Sequence, residues 1–123
     1  MRMGPITPIL RSFDEAAAKA FYVDYLGCSI DFEHRFEEGL PLYMQVSRDG
    51  MVLHVSEHHG DATPGTALRI RVDDLDALHA ELSARDCGRV RPGIEEMSYG
   101  TRDMVVVDPF SNRLIFTDDG AAD

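Results

Sequence analysis

The chain has 123 residues, 22 acidic and 12 basic, and its formal net charge of −10 disfavours binding to nucleic acid or to anionic membranes. A chain of this length buries a core without needing a metal ion or disulfide bonds, and its 2 cysteines are expected to be free thiols. No apolar run approaches the roughly 20 residues of a membrane span and the N-terminus lacks a signal-peptide pattern, so we expect a cytoplasmic protein.

The first half of the chain carries strand and helix signals in a definite order. Residues 5–12, PITPILRS, predict an edge strand, where the missing N–H groups of proline are tolerated. Asp14 is a favourable N-cap for the helix DEAAAKAFYVDYL, which ends before Gly27. The run CSIDFEHRF predicts a strand. LYMQVS and MVLHVSE, joined by RDG, predict a β-hairpin.

The second half repeats this order after a linker, HHGDATPG. TALRIRV predicts a strand, and Asp74 opens the predicted helix DDLDALHAELSARD. PGIEEMSYG predicts a loop, and TRDMVVVDP and NRLIFTD predict two strands around a PFSN turn. The chain is therefore interpreted as strand–helix–strand–strand–strand twice, with a period of about 60 residues.

Two motifs resemble those of the vicinal oxygen chelate superfamily, which includes glyoxalase I, extradiol dioxygenases and the fosfomycin- and bleomycin-resistance proteins. FYVDYLG resembles F-[YW]-x-x-x-L-G, and DPFSN resembles D-P-x-G-N with Ser111 in place of the usual glycine. The resemblance implies an α+β fold: one domain, residues 1–118, of two βαβββ modules at about 5–59 and 66–118 that form a curled mixed sheet. It also implies a homodimer. Residues 119–123 are expected to be a frayed tail.

The stretch MVLHVSEHHGD contains the side chains that a divalent ion would choose. Enzymes of the superfamily hold such an ion with ligands from the first and fourth strands of each module. By the resemblance those positions fall on Thr7, His54, Ala67 and Ile115, of which only His54 can ligate. His58 shares a strand face with His54 but lies about 13 Å along the chain. We therefore expect no metal and no cofactor, and keep a metal-dependent lyase or dioxygenase as the alternative function.

A site of this kind without an ion resembles the bleomycin-resistance branch, whose dimers sequester a cationic glycopeptide antibiotic and do no chemistry. SYGTRD resembles a loop of that branch whose aromatic residue stacks on the ligand, and CSIDFEHRF resembles its segment of acidic and aromatic groove residues. Arginines stand where the branch has tryptophans on TALRIRV, which favours a ligand with an anionic group. We predict a non-catalytic binding site for a small molecule. Its residues are Asp31, Phe32, Glu33, Phe36, His54, Arg69, Arg71, Tyr99 and Arg102.

Other interpretations of these residues stay open at this point. Phe32 and Phe36 could belong to the core, and Arg69 could pair with an acidic neighbour in the sheet. His54 could form a metal-free acid–base pair with Glu95 or Glu96. The same fold could also serve as an interaction module for another protein, although the acidic charge argues against direct contact with DNA.

Overall fold

The structure, a computed structural model, describes residues 1–85 and 92–118. The chain divides into two units, Met1–Pro64 and Gly65–Asp123. Each unit contains a four-stranded mixed sheet and a helical segment in the order strand, helix, three strands. This confirms the predicted α+β fold of two βαβββ modules. Cys87 and the predicted frayed tail lie outside the described residues.

The two units have the same topology. The first consists of β1 (Ile9–Arg11), α1 (Glu15–Lys19), a π-helical segment (Ala20–Tyr25), β2 (Ser29–His34), β3 (Tyr43–Arg48) and β4 (Met51–Ser56). The second consists of β5 (Ala67–Arg71), α2 (Leu75–Ser83), β6 (Ile94–Glu96), β7 (Arg102–Val107) and β8 (Arg113–Asp118). The strand orders are β1-β4-β3-β2 and β5-β8-β7-β6, and the strand before each helix is parallel to its neighbour.

Both helices begin at the predicted aspartates. The side chain of Asp14 accepts a hydrogen bond from the Ala17 amide at 2.9 Å, and that of Asp74 accepts one from the Ala77 amide at 3.0 Å. These contacts satisfy amides that the first helical turn leaves without partners. The first helix widens into a π-helix after Lys19, which the periodicity did not predict.

Two further differences concern short strands. The predicted first strand, 5–12, is reduced to Ile9–Arg11, although the Pro8 carbonyl still accepts a hydrogen bond from the His54 amide at 3.0 Å. The predicted loop PGIEEMSYG contains β6, which pairs with β7. Three residues are too few to show the alternation by which a strand is recognised.

The core of each unit lies between its helix and one face of its sheet. In the first unit, every second residue along β1, β3 and β4 is almost completely buried; these residues include Leu10, Met44, Val46, Leu53 and Val55. The helical segment contributes the buried rings of Phe21 and Tyr22. The second unit buries Leu75, Leu82, Met104, Val106, Leu114 and Phe116 in the same way. We call the opposite face of each sheet its open face. Within the described ranges, no helix is long and apolar enough to cross a membrane.

Candidate functional site

The open face of the first sheet is organised around His54. In the strand register His54 lies between Ile9 on β1 and Gln45 on β3, and these three side chains point to the same side. A β-bulge interrupts β2, because Ile30 pairs with Val46 whereas Phe32 already pairs with Gln45. The extra residue of the bulge is Asp31, so Asp31 and Phe32 both reach the open face.

A continuous chain of hydrogen bonds crosses this face. The Tyr43 hydroxyl lies 2.6 Å from His54 Nδ1, and His54 Nε2 lies 2.9 Å from Gln45 Oε1. Gln45 Nε2 donates to the carboxylate of Asp31 at 2.9 Å. The Phe32 ring lies edge-on to the imidazole, with 5.7 Å between ring centroids. His54 is therefore fixed at both nitrogens by side chains of the same sheet.

The predicted aromatic residues, Phe32 on β2 and Phe36 two residues beyond its end, are exposed rather than buried. Phe32 is 44% and Phe36 79% exposed, so neither belongs to the core. Glu33 points to the other side of the strand, where its carboxylate lies 2.7 Å from Lys19 Nζ on α1. The predicted acidic and aromatic segment thus divides into Asp31 and Phe32 on the open face and Glu33 on the helix side.

The open face of the second sheet is organised around Asp103. Arg69 donates to both carboxylate oxygens, at 3.2 and 3.3 Å. Tyr99, Thr101 and Thr117 donate their hydroxyls at 3.0, 3.0 and 2.8 Å. Burial by itself raises the pKa of Asp103, but these hydrogen bonds more than offset it and lower the pKa to about 2. Arg69 therefore pairs with an acidic neighbour in the sheet, which is one of the interpretations that the sequence left open.

A pocket of about 480 Å³ lies on this face, within the size range of small-molecule sites. The Tyr99 ring, 61% exposed, lies 5.8 Å from the Arg69 guanidinium. The remaining walls are both apolar and charged, and they include Glu95, Met97, Val105, Arg113 and Ile115.

The other two predicted arginines lie outside this pocket. Arg71 is opposite Thr117 in the register, two residues beyond Arg69 on the same side of β5. Arg102 points to the helix side, where its guanidinium lies 3.0 Å from the carboxylate of Asp76 on α2. The structure therefore does not bring Arg102 together with Tyr99 and Arg69 on the open face.

The residues compared with metal ligands, Thr7 and Ala67, are not the direct register partners of His54 and Ile115. His54 pairs with Ile9 rather than Thr7, and Ile115 pairs with Arg69 rather than Ala67. Neither isoleucine nor arginine is a ligand for a divalent ion. Among residues 1–85 and 92–118, no three His, Cys, Asp or Glu side chains come close enough together to hold a metal ion.

Sequence reasoning missed Tyr43, Gln45 and Asp103. The first two carried a usable signal: the two-residue Asp-Gly turn pairs Arg48 with Met51, and counting back along the hairpin puts Gln45 opposite His54. Asp103 lies in a strand where three valines follow a methionine, so the sequence shows no alternation that would assign its face.

Comparisons with known proteins give a family and a set of similar folds. A family model described as a glyoxalase superfamily protein matches residues 1–122. A bleomycin-binding protein from the bleomycin producer Streptomyces verticillus, solved with copper(II)-bleomycin, is 30% identical over 94% of this chain and 96% of that chain, with a TM-score of 0.71. A bleomycin-binding protein complexed with bleomycin is 25% identical over 94% and 98%, with a TM-score of 0.72.

A third solved structure, a bleomycin resistance determinant encoded on the transposon Tn5, shares the fold. It is 24% identical over 97% of this chain and 100% of that chain, with a TM-score of 0.74. No curated protein sequence matches the chain.

Proposed function

The chain belongs to the glyoxalase superfamily, and we propose that it is a non-catalytic binding protein of the bleomycin-resistance type, which sequesters an antibiotic or a related planar, charged molecule. The observation that carries the proposal is the pocket of the second unit, where the exposed Tyr99 ring lies beside Arg69 and Asp103 fixes both groups. An aromatic ring held in place by its hydroxyl presents a flat surface on which a planar ligand can stack. The description of two similar proteins as bleomycin-binding supports this choice of ligand.

The charge of the pocket is compatible with a cationic ligand. In the sequence, Arg69 and Arg71 argued against such a ligand. The bidentate contact with Asp103 compensates the charge of Arg69, and Arg71 lies outside the pocket. The guanidinium is left as a flat, polar surface next to Tyr99 rather than as an isolated cation. The formal net charge of −10 adds a field that attracts cations.

The open face of the first unit carries a second group of proposed binding residues. Phe32 offers an exposed ring, and Asp31 an exposed carboxylate. An aromatic surface next to an acidic group is suited to a planar, positively charged molecule. His54 and Gln45 hold this arrangement together and complete the proposed binding residues of this unit.

We further propose that the protein acts as a cytoplasmic homodimer. Met1, Met3 and Ile6 lie in the segment before β1 with 116%, 86% and 90% exposure. These three side chains within six residues give a partner chain apolar surface that binding would remove from water. Light scattering would test this part: a monomer at micromolar concentration would contradict it.

Calorimetric titration of the chelator-treated protein with metal-free bleomycin tests the main proposal. We expect saturable binding of one ligand per protomer that weakens as salt is added, because part of the attraction is electrostatic. Absence of heat, together with absence of any change in the intrinsic tyrosine fluorescence, would reject bleomycin as the ligand. A stoichiometric metal ion in untagged protein purified without chelator would contradict the non-catalytic assignment.

A further inference from the structure

We infer that the open face of the first sheet selects ligands that donate hydrogen bonds, and that Tyr43 is the residue that sets this preference. The inference rests on the proposed function, since it names the class of ligand that this face takes. It follows from the directions of the hydrogen bonds between Asp31 and Tyr43, each of which fixes the next.

The orientation of the Gln45 side-chain amide follows from its contact with Asp31. The carboxylate of Asp31 accepts from Gln45 and Ser47, and these contacts lower its pKa, so it is ionised and has no proton to donate. The group that faces it must therefore be the amide NH₂ of Gln45. The amide oxygen of Gln45 then points to His54 Nε2, in agreement with the 2.9 Å contact between them.

The tautomer of His54 follows from the orientation of the Gln45 amide. Because Gln45 presents an acceptor to Nε2, that nitrogen must carry a proton. In the neutral imidazole the other nitrogen, Nδ1, is then an acceptor. The Tyr43 hydroxyl lies 2.6 Å from Nδ1 and must donate its proton there.

The Tyr43 hydroxyl offers a ligand an acceptor and no donor. Its single proton is already used, so the hydroxyl oxygen of this half-buried residue presents only lone pairs. Burial, followed by the charge of Asp61, raises the pKa of Tyr43, so the hydroxyl keeps its proton at neutral pH. At the Tyr43 oxygen itself, a ligand group that needs a donor finds none, whereas an N–H group finds an acceptor.

The neighbouring groups favour the same class of ligand. The carboxylate of Asp31, which has lone pairs to spare, lies on this face with the exposed ring of Phe32. Acceptors around an aromatic surface suit a planar amidinium or guanidinium group. Arg11, on the same side, lies two strands from Tyr43 in the register, about 10 Å away, and its guanidinium stacks 4.7 Å from the Phe13 ring.

Two measurements on the full chain test the inference, with benzamidinium as the donor probe and benzoate as an acceptor probe of similar shape. Nitrogen NMR of the His54 ring at neutral pH is expected to show the proton on Nε2. Benzamidinium is expected to shift the amide signals of residues 31–32 and 43–45, and to bind about tenfold more tightly than benzoate.

Variants separate this preference from simple charge attraction. Tyr43→Phe keeps the ring and removes the acceptor, so benzamidinium affinity should fall about fivefold with no loss for benzoate. His54→Leu removes the acceptor for the Tyr43 proton, which can then point to the ligand, so the ratio between the two probes should shrink. Asp31→Asn should weaken benzamidinium binding, whereas the matched change Glu33→Gln on the helix side should not.

The outcomes distinguish this inference from the proposed function. A proton on His54 Nδ1, equal binding of the two probes, or signal shifts away from both segments would overturn the inference. Selection of benzamidinium at Tyr43 without any binding of bleomycin would support the inference and reject the antibiotic. Bleomycin binding that is unchanged in Tyr43→Phe, with no preference for benzamidinium, would support the proposed function and overturn the inference.

Discussion

Arg69 and Asp103 form a bidentate ion pair across the second sheet, with donor–acceptor distances of 3.2 and 3.3 Å. The arginine is 46% exposed and the aspartate 5%. An arginine held by both carboxylate oxygens keeps one orientation, because its planar fork matches the carboxylate. The pair therefore fixes the flat surface next to Tyr99 and also explains why a carboxylate stays ionised in a buried position.

The first prediction concerns acid stability. A carboxyl whose pKa is lower in the folded than in the unfolded chain stabilises the fold above its unfolded pKa, and this contribution is lost as the pH falls through the folded pKa. For Asp103 that interval runs from about pH 4 down to about pH 2, and the free energy of unfolding should decrease across it. Denaturant titrations at several pH values would measure the slope, which should be smaller in Asp103→Asn.

The same variant should be less stable at neutral pH. Asp103→Asn places an amide NH₂ among donors, so we expect a loss of about 1 to 3 kcal/mol. Asp76→Asn is a suitable control, because Asp76 is 73% exposed and its pair with Arg102 should contribute less than about 1 kcal/mol. Equal losses for the two variants would show that the buried network has no special role.

The second prediction concerns ligand stacking. Tyr99→Ala should weaken bleomycin binding about tenfold, since it removes both the ring and its contact with Arg69. Tyr99→Phe should lose much less, because the ring remains. Phe13→Ala is the matched control: Phe13 is 57% exposed and also has an arginine, Arg11, over its ring, but it belongs to the first unit and lies outside this pocket. Titration calorimetry would contradict the prediction if all three variants bound alike.

The third prediction concerns the turn between β7 and β8. Ser111 has φ 72°, in the left-handed region that an L-residue adopts at a cost. Ser111→Gly should raise the free energy of unfolding by about 0.5 to 1 kcal/mol. Asp49→Gly, at φ 53°, should gain less, because aspartate tolerates this conformation better than serine. Thermal unfolding of both variants checks the order, and a destabilised Ser111→Gly would contradict it.

The fourth prediction concerns the Cys28 thiol. Cys28 is 4% exposed and unpaired, and burial raises its pKa to about 11. Because the thiolate is the reactive form, iodoacetamide at pH 8 should label native Cys28 at least about a hundredfold more slowly than in the denatured chain. The measurement uses Cys87→Ser, so that only one thiol reports. Rapid labelling of the native protein would show that the first unit opens readily.

The pattern of the sequence was sufficient for the fold because each unit combines signals that agree. Asp14 and Asp74 stand before helical runs, and the Asp-Gly turn joins two β-rich segments. What the pattern could not show was the three-residue strand β6, which is too short to alternate. In the π-helical segment after Lys19 the buried residues are Phe21, Tyr22 and Tyr25, a spacing that also fits one face of an α-helix, and a segment this short gives no separate signal.

The candidate site was predicted less completely, and for a different reason. His54, Tyr99 and Arg69 were identified one by one, but their partners depend on register and loop conformation. Five donated hydrogen bonds converge on Asp103 from β5, β8 and the loop before β7. Arg69 and Thr117 are 34 and 14 residues away in the chain, and contacts at such separations give no local signal. The bulge at Asp31 likewise changes which residues of β2 share a face. Neither residue next to it is a glycine or other turn residue from which a bulge could be predicted.

The alternation along β3 and β4 has a consequence for how this protein can change over evolutionary time. Met44 and Val46 are fully buried in the core of the first unit, whereas Tyr43 and Gln45, their immediate neighbours, lie on the open face for which ligand binding is proposed. Single substitutions can therefore alter the ligand spectrum and leave the core intact. Insertion of one residue would exchange the two sets, because it moves every following side chain to the other face. New specificities should arise here by replacement of residues, with the length of the hairpin conserved.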